Sequence, residues 1–148
     1  MALTPEQIAK MRPWMMTGSD VLIKPLRPDL VVPTRSARTE AANDVFMPQD
    51  YTFTPGEIVE LDMGFACKVG RYQVGLFLSC HDLLRDHGIE VVHGQIDPWN
   101  WEEVKILVRC NNKEPVSFNK GERIARLLIT SFTNRTPRVV DELIEDGT

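Results

Sequence analysis

The chain has 148 residues, 43% of them apolar, and a net charge of −4 at pH 7. That is the length of one domain, enough to bury about two-thirds of the unfolded surface, and the acidic balance without a basic stripe excludes a nucleic-acid backbone binder. No apolar run approaches the ~20 residues that span a bilayer. The N-terminus lacks the order of a signal peptide, and three widely spaced cysteines (Cys67, Cys80 and Cys110) suit a reducing compartment better than a disulfide framework. The expectation is a soluble intracellular protein, with neither a membrane nor nucleic acid as a partner.

Thr4-Pro5-Glu6-Gln7 has the form of a capping box with Pro at the first helical position, which predicts a short helix over residues 5–11. Pro13 limits its continuation. Met11, Trp14, Met15 and Met16 then form an apolar knot before the polar hinge Thr17-Gly18-Ser19-Asp20. Residues 1–20 therefore read as an N-terminal arm, packed on its own domain or offering a partner an adaptable Met-rich surface.

Residues 21–148 read as one β domain. Strands are predicted at 21–26, 30–32, 45–46, 51–53, 57–62, 64–68, 73–79, 89–92, 103–110, 116–118 and 123–132, separated by Pro, Gly and Asn turn signals. Many short strands at this spacing indicate a sandwich, a jelly roll or a small barrel. One short helix is predicted to start with Asp82 as its N-cap and to stop at Gly88. After Phe132 the tail is polar until Val139-Val140-Asp141-Glu142-Leu143-Ile144, an apolar segment that pairs with its own sheet or lies across a neighbouring subunit.

Two constellations look chemical and are not. Cys80-His81-Asp82 places a nucleophile, a base and an acid side by side, but adjacent residues of an extended strand point to opposite faces. The spacing of His81, His87 and His93 matches no metal-ligand signature, so no metal site is predicted. The more informative stretch is Gly94-Gln95-Ile96-Asp97-Pro98-Trp99-Asn100-Trp101. It places one carboxylate, Asp97, in a tight turn with a strand on each side, and Asp-Pro and Asn supply the turn chemistry. Trp99 and Trp101 flank that turn, where they stack on a base or sugar or cover a subunit interface. Asp44 follows the small-residue turn Ala41-Ala42-Asn43, and Arg123 and Arg126 open the last long strand, free to hold phosphate or to pair with acidic groups.

In unbroken order, several of these stretches resemble the trimeric dUTPase (deoxyuridine triphosphate nucleotidohydrolase) family. Ala41-Ala42-Asn43-Asp44-Val45 stands where that family has Ala-Gly-Tyr-Asp-Leu, Gly94-Gln95-Ile96-Asp97 resembles its third motif, and Gly121-Glu122-Arg123-Ile124-Ala125 its fourth. Val21 to Leu26 resembles the opening strand and Val140 to Leu143 the C-terminal one. The resemblance implies an all-β, jelly-roll or distorted-barrel homotrimer with sites at subunit boundaries. By position it implies that Asp97 activates the attacking water, that Asp44 helps organise a Mg²⁺-bearing site, and that Asn100, His81, Arg123 and Arg126 line the nucleotide site.

The departures from the family are chemical. Cys80 and His81 stand where the second motif has Arg-Ser, followed by Asp82. Asn100 stands where the third motif has the Tyr that packs on deoxyribose, with Trp101 and Glu102 after it in place of Arg and Gly. Arg126 stands where the fourth has Gln. The fifth motif, a Gly-rich arm that closes over the nucleotide, is expected to be absent, because the sequence stops at Thr148 where it would begin. Losing two phosphate contacts and the stacking partners would cost roughly 4–9 kcal/mol if additive. The expectation is therefore a homotrimeric scaffold without efficient hydrolysis and without a cofactor. It would serve as a structural or interaction module in the cytoplasm or a virion, joined to a larger assembly through residues 1–20 and the C-terminal tail. The alternative is an active nucleotide diphosphatase of altered specificity, using Mg²⁺.

Overall fold

The protein is described by a computed structural model over residues 2, 4–7 and 21–143. In the arm, residues 5–7 are helical and the capping box forms: the Thr4 amide donates to Gln7 Oε1 (2.8 Å) and the Gln7 amide to Thr4 Oγ1 (3.2 Å). The remainder of the predicted helix, the Met and Trp knot and the hinge lie outside the described residues.

Ten strands follow: β1 (Leu22–Pro25), β2 (Ala42–Phe46), β3 (Tyr51–Phe53), β4 (Ile58–Lys68), β5 (Gln73–Ser79), β6 (Ile89–His93), β7 (Gln95–Ile96), β8 (Glu103–Cys110), β9 (Val116–Phe118) and β10 (Arg123–Ser131). One helix, α1 (His81–His87), sits between β5 and β6. The strands form two four-stranded sheets, ordered β1-β4-β8-β6 and β2-β10-β5-β7, with β3-β9 as a small third sheet; every pairing is antiparallel. Alternation drives the assembly. On β8, Val104, Ile106, Val108 and Cys110 are buried while Lys105 faces solvent. These side chains share one core cluster with Leu61, Met63 and Phe65 of β4, Phe77 of β5 and Leu127 of β10, so the two large sheets close on each other. Phe53 and Phe118 stack edge to face at 5.6 Å where β3 and β9 close one end.

The chain changes sheets at Gly94, between β6 and β7. A Cβ built there would lie 2.8 Å from Phe77 Cβ and 2.9 Å from Ile106 Cγ2, inside contact distance of both sheets. The Gly94 carbonyl accepts the Phe77 amide at 3.0 Å, which ties the crossing to β5.

Several expectations change. Residues 30–32 form no strand: Val31 and Val32 are exposed, Pro33 has no amide to donate, and the one pairing nearby is an isolated bridge between Thr34 and Asp44. The strands predicted at 57–62 and 64–68 are one bulged strand, β4. Its register against β8 shifts between Asp62 and Ala66, Gly64 takes φ +80°, and the Gly64 amide donates to Glu103 Oε2 at 2.8 Å. Asp82 is not the N-cap of α1. Cys80 holds that position without a side-chain cap, Asp82 lies in the first turn, and Gly88 closes the helix in the left-handed conformation as predicted. The C-terminal segment pairs with neither sheet of its own chain: residues 132–143 contain no strand, and Val139 and Leu143 are exposed.

Gly94→Ala tests the sheet crossing. The added methyl overpacks Phe77 and Ile106 and should cost about 1–3 kcal/mol, read as a lower urea midpoint at unchanged slope. An unshifted midpoint would show that the two sheets separate more easily there than the packing implies.

Candidate functional site

The residues singled out from the sequence fall into two groups at opposite ends of the outer face of the second sheet. Asp97 follows β7, which pairs with β5 through Gly75–Ile96 and Leu76–Gln95. Its carboxylate is exposed, and Gln95 Nε2 donates to its Oδ1 at 2.8 Å. Asp97 lines a cleft of about 330 Å³ with Gln95 and with the apolar side chains of Val74, Leu76 and Phe132. Beyond it the chain turns: the Asn100 amide donates to the Asp97 carbonyl (3.3 Å), and Asn100 Oδ1 accepts the Glu102 amide (3.0 Å). The Asx turn expected from the sequence therefore forms, and Asn100 spends its side-chain oxygen on the backbone.

The second group surrounds Cys80 at the other end of β5. Arg123 donates through one nitrogen to both carboxylate oxygens of Asp82, at 2.7 and 2.8 Å. Arg126 Nη2 donates to the Ala42 carbonyl (3.2 Å) and lies 3.4 Å from Glu40 Oε2. Its Nε lies 3.5 Å from Asp44 Oδ1, close enough for charge attraction, yet this buried Nε makes no hydrogen bond. His81 is exposed at the start of α1. Burial outweighs its charged neighbours and pushes the Cys80 thiol up to about 11, so it is protonated and inert at neutral pH. Burial opposes ionisation of Asp82 as well, but the Arg123 charge and hydrogen bonds to the carboxylate prevail and hold it below the ordinary value. Glu40 is held low chiefly by its hydrogen bond from Ser36.

Paired residues on β10 and β5 place Arg126 opposite Leu78, and Thr130 opposite Val74 in the cleft wall. Four residues of extended strand separate the two groups, about 13 Å. Asp97 and the Asp44–Arg126 group are therefore not brought together within one chain.

Two contributors escaped the sequence reading. Asp82 is the partner of Arg123, which no local pattern reveals, since the pair is 41 residues apart. Lys68 at the end of β4 is buried, its Nζ donating to the Val69 carbonyl (2.8 Å) and lying 4.2 Å from the Trp99 ring centroid and 5.6 Å from that of Trp101. A signal did exist: the run Met63 to Val69 is apolar apart from Lys68, as in a strand covered on both faces.

Among the described residues no group of three or more His, Cys, Asp or Glu side chains could hold an ion, and Asp44 already faces the Arg126 guanidinium. Among the same residues no helix is long and apolar enough to cross a membrane.

Comparison with known proteins bears on the fold and the family. The sequence pattern of the dUTPase family matches residues 29–146. The deoxyuridine 5'-triphosphate nucleotidohydrolase of Corynebacterium jeikeium is 34% identical over 119 residues, covering 76% of each chain. That of Mycolicibacterium gilvum is 31% identical over 107 residues, covering 70% of each. In fold, the chain is similar to a mutant dUTPase from phage phi11 of S. aureus, a structure that reveals the coordination of a structural Mg(II) ion in that protein. The TM-score is 0.78 at 17% identity, over 84% of this chain and 99% of that one.

The buried thiols make a direct check of the site's packing. Burial also pushes Cys67 up to about 12, and all three cysteines are buried. A disulfide reagent at pH 8 should leave the native protein essentially unmodified and titrate all three thiols in denaturant. Rapid native-state reaction of Cys80 would contradict the geometry around Arg123 and Asp44. With its fold, its sequence pattern and its relatives in agreement, the chain belongs to the dUTPase family.

Proposed function

We propose that the chain is one subunit of a homotrimeric nucleotide diphosphatase that converts dUTP or a related nucleoside triphosphate to the monophosphate and pyrophosphate. The observation that carries this reading is the Asp97 carboxylate, fixed by Gln95 and open to an apolar-walled cleft, in a chain whose relatives are named as dUTP nucleotidohydrolases. In this mechanism Asp97 accepts a proton from water as the water oxygen bonds to the α-phosphorus. The bond from that phosphorus to the bridging oxygen breaks, and pyrophosphate leaves. Gln95 holds Oδ1, which leaves Oδ2 to take the proton.

Arg123 and Arg126 bind phosphate oxygens in exchange for their present carboxylate partners, and Asp44 assists at the same end. The Mg²⁺ ion travels with the triphosphate as part of the substrate. Asn100 carries no ring to pack on deoxyribose, so discrimination against ribose is relaxed.

Because the two groups lie at opposite ends of β5, the site is composite: Asp97 of one subunit meets the Asp44, Arg123 and Arg126 group of a neighbour. Three-fold association supplies three such boundaries. It is supported by apolar side chains left exposed on the outer face of the second sheet and beside it (Tyr72, Leu78 and Phe132), and by the unpaired tail with Val139 and Leu143. That tail lies across the neighbouring subunit.

A second reading keeps the trimer and removes turnover, as an interaction module attached to a viral particle or another symmetric assembly through residues 1–20 and the tail. What favours it is that both arginines are already paired within the chain, Arg123 with Asp82 and Arg126 with Glu40 and Asp44.

Pyrophosphate release from dUTP with Mg²⁺ distinguishes the two. The hydrolase reading expects turnover that falls about 10²- to 10⁴-fold in Asp97→Asn. Nucleotide at 100 times Kd should add about 2.7 kcal/mol of stability in wild type and variant alike. Absence of turnover with every nucleoside triphosphate, together with no thermal shift, would leave the module reading standing alone.

A further inference from the structure

The Asp97 turn carries an indole in an unusual setting. Trp99 has φ +68°, a left-handed backbone that a bulky side chain rarely adopts, and it is 56% exposed. Both features are unfavourable, so something must hold the ring in place. Lys68 does so from below. Lys68 is 2% exposed, and its ammonium lies 4.2 Å from the Trp99 centroid. Such an ammonium–ring attraction strengthens when water is excluded. Burial pushes the Lys68 ammonium below its ordinary value, and the ammonium donates to the Val69 carbonyl at 2.8 Å.

The consequence for recognition lies on the other side of the ring. Trp99 stands inside the four-residue turn closed by the hydrogen bond from the Asn100 amide to the Asp97 carbonyl, two residues along the chain from the carboxylate that lines the cleft. One ring face is occupied by a cation and the ring is exposed to solvent. The cation draws π density toward itself and leaves the opposite face less negative, suited to a flat, uncharged ring bearing carbonyl groups. A quaternary ammonium ligand would be repelled there by Lys68.

We propose that the outer face of Trp99 is the stacking platform for the base of the nucleotide, with Lys68 as the positioning residue that holds the indole. This rests on the nucleotide diphosphatase reading and names a recognition surface within it. Trp101, 5.6 Å from the same ammonium, is the second wall of the clamp. Asp97 acts on phosphate while Trp99 acts on the ring, so the two contributions are separable by measurement.

The test uses the full-length protein and calorimetric binding of a dUTP analogue whose imido bridge resists cleavage, beside inorganic tripolyphosphate, which has no ring. Trp99→Leu should weaken the analogue by about 5- to 150-fold and leave tripolyphosphate unchanged, whereas Trp99→Phe should stay within about threefold of wild type. Lys68→Met should weaken the analogue by about 3- to 10-fold, with Lys68→Arg restoring it. In a Trp14→Phe, Trp101→Phe protein, where Trp99 is the one remaining indole of the original three, the analogue should quench the emission and tripolyphosphate should not. Unchanged analogue binding in Trp99→Leu, equal weakening of both probes, or emission that ignores the analogue would overturn the platform and leave the diphosphatase reading intact. A wild-type protein that binds no nucleotide would overturn both.

Discussion

The geometry of the candidate site depends on a contact that has no side chain of its own. At Gly94 the chain leaves one sheet and joins the other, with Phe77 on one side and Ile106 on the other and no room for a Cβ. Because the crossing is so tight, β7 begins immediately, pairs with β5 for two residues, and delivers Asp97 at the mouth of the cleft. A wider crossing would move the carboxylate along the strand or turn it to the other face, since side chains alternate at every residue. Core packing and site placement are thus one constraint.

The charges at the other end of the sheet can be weighed by magnitude. The Arg123–Asp82 pair has side chains 36% and 47% exposed, and ion pairs this accessible contribute about 0–1 kcal/mol once screened by solvent. A charge-assisted bond to phosphate contributes roughly 1.5–3 kcal/mol, so exchanging Asp82 for a phosphate is not prohibitive. Arg126 and Asp44 are less accessible, at 28% and 14%, and the Arg126 Nε lacks a hydrogen bond. An unpaired buried donor is costly, and a phosphate oxygen arriving there would relieve it. On the hydrolase reading proposed above, the intrachain pairs would moderate phosphate binding without blocking it, and these magnitudes favour that reading over the module. The sequence-based sum of lost contacts leaned the other way because it counted the missing motif residues and not what the remaining arginines would gain.

Much of the framework is legible in the sequence because it follows from period-two burial: β5, β8 and β9 appear at their predicted bounds, and Gly88 ends α1. Legibility fails where tertiary partners decide. Residues 30–32 look β-branched and apolar, but no neighbouring strand is there to pair with them. The bulge in β4 disguises one strand as two, because Gly64 takes a backbone conformation that resembles a turn. In the site, Asp97 and its turn are readable from local chemistry, as Asp-Pro and Asn each act within a few residues. The apolar run around Lys68 signals its burial, but the partners of Asp82 and Lys68 are not readable, since they lie 41 residues away at Arg123 and some thirty residues away at Trp99 and Trp101. Substitutions that look like losses against a family pattern can be half of a pair whose other half is distant.

The central claim is that one chain holds only half of each site. Asp97→Asn and Asp44→Asn proteins, each impaired in a different half of the site and each assayed alone as the baseline, can be mixed under conditions that exchange subunits and then assayed for pyrophosphate release from dUTP. Boundaries that combine an intact Asp97 from one variant with an intact Asp44 from the other form at about a quarter of sites for random three-fold assembly, and activity should return toward that fraction of wild type. Mixed trimers that form, as seen by native mass spectrometry, yet stay at that baseline would contradict a site shared between subunits.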